Sequence, residues 1–346
     1  MPSPLTSASL PDALASAFEL DRVGPRDEPE IFALVSACDV AVLGFPDVSL
    51  GDIASQSGPL IDGSDRPQAV VRRVSNGEVV SWWFTDPTPE SPRCFGDVYV
   101  DPSLPEPDAD ALAAAGWAGV EAWAWRYLDS SLPEADARSQ ARLTTGILNG
   151  DRHTERRVAA VGFERVRTFW RMSAQVPAGG TGAPSDAGID GPEIVPATDL
   201  PLVHRLRTEA FADHWGGASE SYETWMARKT SEPGHDLSMW FVALIDGEPA
   251  GFMICSRQME DDNALYVATL GTLSAYRRRG VASALLQRGF ELARDEDYGS
   301  VRLGVDSDSP TGAPSVYRRA GFEVLFAMHV WEKPLNLDEV SPAPHR

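Results

Sequence analysis

Between Leu265 and Ala293 the chain reads LYVATLGTLSAYRRRGVASALLQRGFELA. A β-rich run ends in the turn Arg277-Arg278-Arg279-Gly280-Val281-Ala282. Beyond it, Ala282, Leu285, Leu286, Gly289, Phe290 and Ala293 recur at three-four spacing, the pattern of a helix with one face on a core. Strand, basic glycine turn and helix together can hold a pyrophosphate. The first amides of a helix lack intrahelical acceptors, and the macrodipole favours an anion there. Glycine at 280 has no Cβ to keep the backbone away. Arginine side chains add charge-assisted hydrogen bonds. Taken alone, such a turn reads as a solvated basic surface.

A second segment follows, Gly312-Ala313-Pro314-Ser315-Val316-Tyr317-Arg318-Arg319-Ala320-Gly321-Phe322. Its Tyr317 carries a phenol of ordinary pKa about 10, able to protonate a departing sulfur whose thiol pKa is about 8.5. Read without context, Tyr317 is a packing residue on an amphipathic helix. Just before it, Ser309 offers a short-reaching hydroxyl.

Order and spacing of the two segments resemble the GCN5-related N-acetyltransferases (GNAT superfamily). The first is similar to their R/Q-x-x-G-x-G/A acyl-CoA loop, the second to their A-x-x-x-Y-x-x-x-G-F segment. The resemblance covers residues 193 to 334. It implies acetyl-CoA as cosubstrate and no metal. It places the pyrophosphate on Arg277, Arg278, Arg279, Gly280, Val281, Ala282 and Ser283. The pantetheine arm is expected along Leu270, Gly271 and Thr272, with the Leu270 amide polarising the thioester carbonyl. Ser309 stands where relatives often carry an asparagine that orients that arm. Tyr317 matches the family's general acid.

The elements that must position these residues occur twice. Val161-Gly162-Phe163-Glu164 matches Ala320-Gly321-Phe322-Glu323, and hairpin, strand, long helix, strand, short helix and strand recur in one order. The expected fold is α/β: two tandem GNAT-like domains, each a mixed twisted sheet flanked by helices. Residues 1–176 form a degenerate copy and residues 193–340 the acetyl-CoA-binding copy. Residues 177–192, rich in glycine and proline, read as a linker. An Asn76-Gly77 pair suggests a two-residue hairpin turn. The first copy departs from the motif. After Val98-Tyr99-Val100 comes Asp101-Pro102-Ser103-Leu104-Pro105-Glu106-Pro107-Asp108, acidic and short of amide donors, and Val158 stands in the place of Tyr317. This half is expected to support the other without binding cofactor. The layout resembles that of the mycothiol synthases, which acetylate a cysteinyl amine.

Composition narrows the partners. A hydrophobic share of 43% over 346 residues suits two packed domains. A net charge of −21 disfavours nucleic acid, whose phosphates need a cationic surface. No apolar run has the length of a membrane span, and Met1 to Leu20 lacks a signal-peptide pattern. A cytoplasmic location is expected. Cys38, Cys94 and Cys255 lie far apart, with neither metal spacing nor a disulfide framework.

The expected reaction is acetyl transfer to a small-molecule amine by direct attack in a ternary complex. The family's usual strand glutamate is missing from Leu265 to Thr269. Glu260, Asp261, Asp262, His214 and an ordered water chain stay open as routes for the amine proton. Asp213 and Glu260 to Asp262 suggest an acceptor bearing positive charge. Two other readings remain: a non-catalytic acyl-CoA-binding protein, and an antibiotic-modifying self-resistance or tailoring N-acetyltransferase.

Overall fold

A computed structural model describes residues 5, 10–24, 26–60, 63–89, 91–177, 191–212 and 220–338. The linker residues 178–190, and Asp213 and His214, lie outside the described residues. The chain divides into two compact units. They interleave in sequence: one comprises residues 1–167 and 328–346, the other residues 168–327. The strands that end the two halves of the sequence are thus exchanged: residues 168–175 belong to the second unit and residues 328–334 to the first.

The first unit contains β1 (Phe18–Asp21), α1 (Glu28–Leu43), α2 (Leu50–Ser57), β2 (Gln68–Arg73), β3 (Val79–Pro87) and β4 (Arg93–Val100). These are followed by α3 (Glu106–Ser131), α4 (Ala135–Ser139), β5 (Arg142–Leu148) and α5 (Arg152–Ala160). The hairpin between β2 and β3 closes through a longer loop than expected. The amides of Arg73 and Gly77 bond the carbonyls of Glu78 and Arg73, and Gly77 alone takes positive φ. A two-residue type I′ turn needs positive φ at both central positions. Helix α3 packs Trp117, Val120 and Trp123 into the core. Gly116 admits Trp83 so closely that a Cβ would sit 2.7 Å from the indole nitrogen.

Strand β6 (Glu164–Gln175) leads into the second unit. That unit holds β7 (Glu193–Pro196), α6 (Leu200–Ala210), α7 (Tyr222–Ser231), β8 (Trp240–Ile245), β9 (Glu248–Ser256) and β10 (Ala264–Thr272). Then come α8 (Val281–Asp295), β11 (Ser300–Asp306), α9 (Ala313–Arg319) and the start of β12 (Glu323–Pro334). Strand order in this unit is β6-β11-β10-β9-β8-β7. Asp246 and Gly247 both take positive φ, so the β8–β9 hairpin is the tight type.

Its strands are apolar on both faces, as a sheet between helix layers requires. Phe241, Ala243, Met253, Cys255 and Val267 meet α8 through Val281, Leu285 and Phe290. Trp240, Val242, Phe252 and Ile254 meet α6 and α7 through Val203, Leu206, Ala210 and Trp225. Helix α6 is capped by Asp199, whose carboxylate accepts the Leu202 amide at 2.9 Å.

The exchange has a testable consequence. Phe169–Gln175 of β6 pair antiparallel with Ser300–Asp306 of β11. A fragment starting at residue 193 lacks that strand and exposes a hydrophobic edge. Residues 193–346 expressed alone are expected to be insoluble or largely unfolded by circular dichroism. A soluble, cooperatively melting fragment with unchanged acetyl-CoA affinity contradicts this.

Candidate functional site

The site begins where a pair of strands parts. Ala264–Val267 of β10 run parallel beside Ser300–Leu303 of β11. A bulge between Val267 and Thr269 then re-aims β10, which stays paired with β9 through Thr272. β11 stays with β6 through Asp306. The wedge left between them opens into a cavity of about 850 Å³.

Backbone direction in the wedge follows from alternation. The Leu273 amide donates to the Ala250 carbonyl of β9 at 3.0 Å. Amides alternate sides along a strand, so those of Leu270 and Thr272 face the edge that β11 has left. Leu270, Gly271 and Thr272 all line the cavity. Thr272 Oγ1 is buried there without a hydrogen-bond partner among the described residues. An unpaired backbone edge and an orphaned hydroxyl fit an extended amide-bearing ligand.

The helix end meets the same cavity. Gly280 stands at φ +82° as the cap of α8, and the Ala284 amide makes the first helical bond, to the Gly280 carbonyl at 2.9 Å. The amides of Val281, Ala282 and Ser283 lie ahead of that bond and line the cavity, as do Arg277 and Arg278. Arg278 holds the left-handed conformation at φ +61°, which completes the turn. Arg279 is the exception among the expected residues. Its guanidinium lies 5.5 Å from the Tyr276 ring centroid and 3.6 Å from Asp246, and it does not line the cavity. Consecutive residues in a tight turn project in different directions, so three adjacent arginines cannot all face one ligand.

Ser309 lines the cavity, its hydroxyl 2.9 Å from that of Thr311. Tyr317 lines it too, although largely buried. Its ring packs edge-on against Phe322 at 5.9 Å, and Phe322 lies 5.6 Å from Phe290 of α8. Burial pushes the Tyr317 phenol up to about 12. Its hydroxyl makes no hydrogen bond among the described residues, which leaves it available to a ligand.

The expected carboxylates are elsewhere. Glu260–Asp262 form a turn immediately before β10, at the end opposite the wedge, roughly 20 Å from Leu270 at about 3.3 Å per strand residue. Asp262 is tied up with Arg302. The carboxylate that lines the cavity is Asp306, nearly fully buried, with Oδ1 accepting the Asp308 amide at 3.0 Å. Val301, Leu303 and Val305 face the α8 side, so Asp306 falls on the α6 side. Arg207, Ala210 and Phe211 reach the cavity from α6, Phe169 from β6 and Arg319 from α9. Sequence reading passed over these residues. An arginine at the rim of an apolar helix stripe looks like any solvated charge, and Phe169 arrives through a distant strand.

The corresponding parting in the first unit is bridged by a side-chain hydrogen bond. β4 and β5 pair only from Arg93–Phe95 to Arg142–Thr144. Beyond that point the Thr145 hydroxyl donates to Asp97 at 3.4 Å, and burial raises the Asp97 carboxyl to about 7. The helix that follows, α3, starts with Pro105, Glu106, Pro107 and Asp108.

Residues 200–322 match the model of the acetyltransferase (GNAT) family. The N-acetylaspartate synthetase of Rattus norvegicus is 31% identical over 90 residues, 26% of this chain and only 29% of that protein. A GCN5-related N-acetyltransferase from Sphaerobacter thermophilus superposes with a TM-score of 0.73 at 24% identity, over 94% of this chain and 96% of the other. A tandem GNAT protein from the clavulanic acid biosynthesis pathway superposes at 0.61 and 15% identity, over 95% and 100%. The last two likenesses show a shared fold over nearly the whole chain. Among the described residues, no group of three or more His, Cys, Asp or Glu is placed to hold a metal, and no helix is long and apolar enough to cross a membrane.

Gly280 separates two effects. A Cβ there meets nothing within 4 Å, so the strain of a side chain comes from φ alone. Gly280→Ala is expected to cost about 1 kcal/mol of stability and little acetyl-CoA affinity. Gly280→Asp, which adds an anion at the helix cap, is expected to lower affinity at least tenfold by calorimetry. Equal affinities for the two variants refute the anion site.

Proposed function

We propose, on the match of residues 200–322 to the acetyltransferase (GNAT) family model, that the chain transfers an acyl group, acetyl, from acyl-CoA to the amine of a small-molecule acceptor. One observation carries this reading. A single cavity is lined from the α8 side by helix-end amides and arginines, and from the α6 side by Arg207, Ala210 and Phe211, with the β10–β11 wedge between them. Such a cavity admits two ligands from opposite faces of one sheet.

The thioester supplies the acyl group: the amine nitrogen bonds to the carbonyl carbon, the C–S bond breaks, and CoA leaves as the thiol. The amides of Val281, Ala282 and Ser283, with Arg277, Arg278 and Arg319, bind the phosphates. The outward amides of Leu270 and Thr272 align the pantetheine arm, and the Leu270 amide donates to the carbonyl oxygen as charge develops there. Asp306 accepts the proton that the acceptor's ammonium gives up. Tyr317 donates its proton to the departing sulfur, and the second proton that the nitrogen sheds as the amide forms restores the phenol. No cysteine relays the acyl group: Cys255 is buried in the core, its thiol pushed up to about 12, and Cys38 and Cys94 belong to the first unit.

Release of free CoA thiol in the presence of a panel of primary amines tests the reading. Acetyl-CoA binding without release by any amine would favour a binding protein instead. Tyr317→Phe is expected to lower kcat about 10- to 1,000-fold while acetyl-CoA affinity holds. The pH behaviour has a definite sign. The folded phenol, near 12, lies above its unfolded value of about 10, so it stays protonated, and its contribution to stability stays whole, below pH 10. Both are lost as pH rises through 12. Any alkaline limb in kcat due to Tyr317 therefore lies above about pH 10; a Tyr317-dependent limb near pH 8 contradicts the assignment.

Asp306→Asn is expected to lower kcat/KM most near pH 7 and progressively less as pH approaches the acceptor's own amine pKa. There the amine already arrives neutral. A loss that is independent of pH would assign Asp306 a structural role instead.

A further inference from the structure

The α6 side of the cavity carries a positive charge that the proposed reaction does not use. Arg207, Ala210 and Phe211 form one stripe of α6 and its cap at the cavity wall. Among the described residues the Arg207 guanidinium has one partner, Glu220, with Nη2 at 3.0 Å from Oε1. That same oxygen is 2.6 Å from Arg228 Nη2, so two arginines share one buried carboxylate. Arg228 also reaches Glu232 at 3.1 Å, and Lys229 reaches Glu232 at 2.7 Å. Three cations thus face two carboxylates. The surplus positive charge has its outlet at Arg207, the member of the group that lines the cavity.

A half-buried guanidinium with one shared partner keeps most of its five N–H donors for something else. Removing it from water is costly unless a further acceptor arrives. The phosphate-binding end of the cavity has its own cations, Arg277, Arg278 and Arg319, set by the helices on the opposite face of the sheet. Arg207 is therefore placed for the other ligand.

We propose that the acceptor is an amine that also carries a carboxylate, and that Arg207 binds that carboxylate. This rests on the acyl-transfer reading above and adds the class of acceptor. The planar guanidinium matches a carboxylate with paired hydrogen bonds, while the ammonium of the same molecule is directed to Asp306. Opposite charges at two points fix the amine's orientation as well as its affinity. Arg207 is then a specificity-determining residue.

Matched pairs of acceptors test this: phenylalanine against 2-phenylethylamine, leucine against isoamylamine, and tryptophan against tryptamine. Thiol release is followed with acetyl-CoA and the full chain. The carboxylated member of at least one pair is expected to have a kcat/KM at least tenfold higher. Arg207→Ala should reduce that preference to within about threefold by raising KM for the amino acid, and Arg207→Lys should restore part of it. Glu220 keeps Arg228 in these variants, and thermal melts confirm their folding. A preference for the decarboxylated amines, or an equal loss on both members of a pair, overturns the proposal. So does turnover of no pair together with no Arg207-dependent binding of the amino acids to the CoA-loaded protein. Transfer to amines without preference shows that the acyl-transfer reading survives such a failure, whereas acetyl-CoA binding with no turnover of any amine shows that it has failed too.

Discussion

The site depends on two parallel strands ceasing to pair. Past Val267 and Leu303 the backbone of β10 and β11 has no neighbour across the wedge. An unpaired backbone edge inside a domain is costly unless water or a ligand satisfies it. Two contacts hold the wedge open. β9 keeps β10 on one side, through a bulge that absorbs the change of direction, and β6 keeps β11 on the other. The free amides of Leu270 and Thr272 are consequences of that geometry, and so is the passage from one face of the sheet to the other. A substitution that restored pairing would erase the site without touching a reacting group.

The second constraint is electrostatic and local. The chain carries a charge of −21, which repels a polyphosphate at long range. At physiological salt such fields decay over about 8 Å, so the groups that would touch a ligand matter more than the net charge. There the balance reverses: Arg277, Arg278, Arg319 and three helix-end amides outnumber Asp306. The same reasoning applies on the α6 side, where Arg207 and Arg228 share the one Glu220 carboxylate. Net charge is thus a poor guide to the ligands of this cavity. The carboxylates that suggested a cationic acceptor, Glu260 to Asp262, sit at the far end of β10.

Local conformation was legible in the letters, and spatial arrangement was not. The turn ending at Gly280 could be read because positive φ, a helix start and basic residues all fall within a few positions. Tyr317 could be read for the same reason, since helix α9 and the Gly321 turn fix its neighbours. Arg279 could not, because its letter matches its neighbours while its side chain turns to Tyr276 and Asp246. Phe169, Arg207 and Asp306 reach the cavity from three separate elements, and no short pattern joins them. The Asn-Gly signal was correct for a hairpin and wrong for its length, because ladder register rather than the dipeptide set the loop.

The exchange of final strands follows from the repeat itself. In each half the glycine-phenylalanine turn is followed by a last strand, β6 in one and β12 in the other. Because the halves share one plan, either last strand can fill either vacancy, and pairing energy alone does not decide which. Here β6 completes β11 from residue 169, and β12 completes β5 from residue 328. His329 on β12 lies 3.0 Å from Asn149, its partner 180 residues away in sequence. Contacts that distant form late, because their loop-closure cost precedes any reward. The first unit therefore waits for the end of the chain before β5 gains its second neighbour. The second unit waits only for β11, since β6 is already made. That order explains how a half without the cofactor motif can still be required: it delivers the strand that holds one side of the wedge.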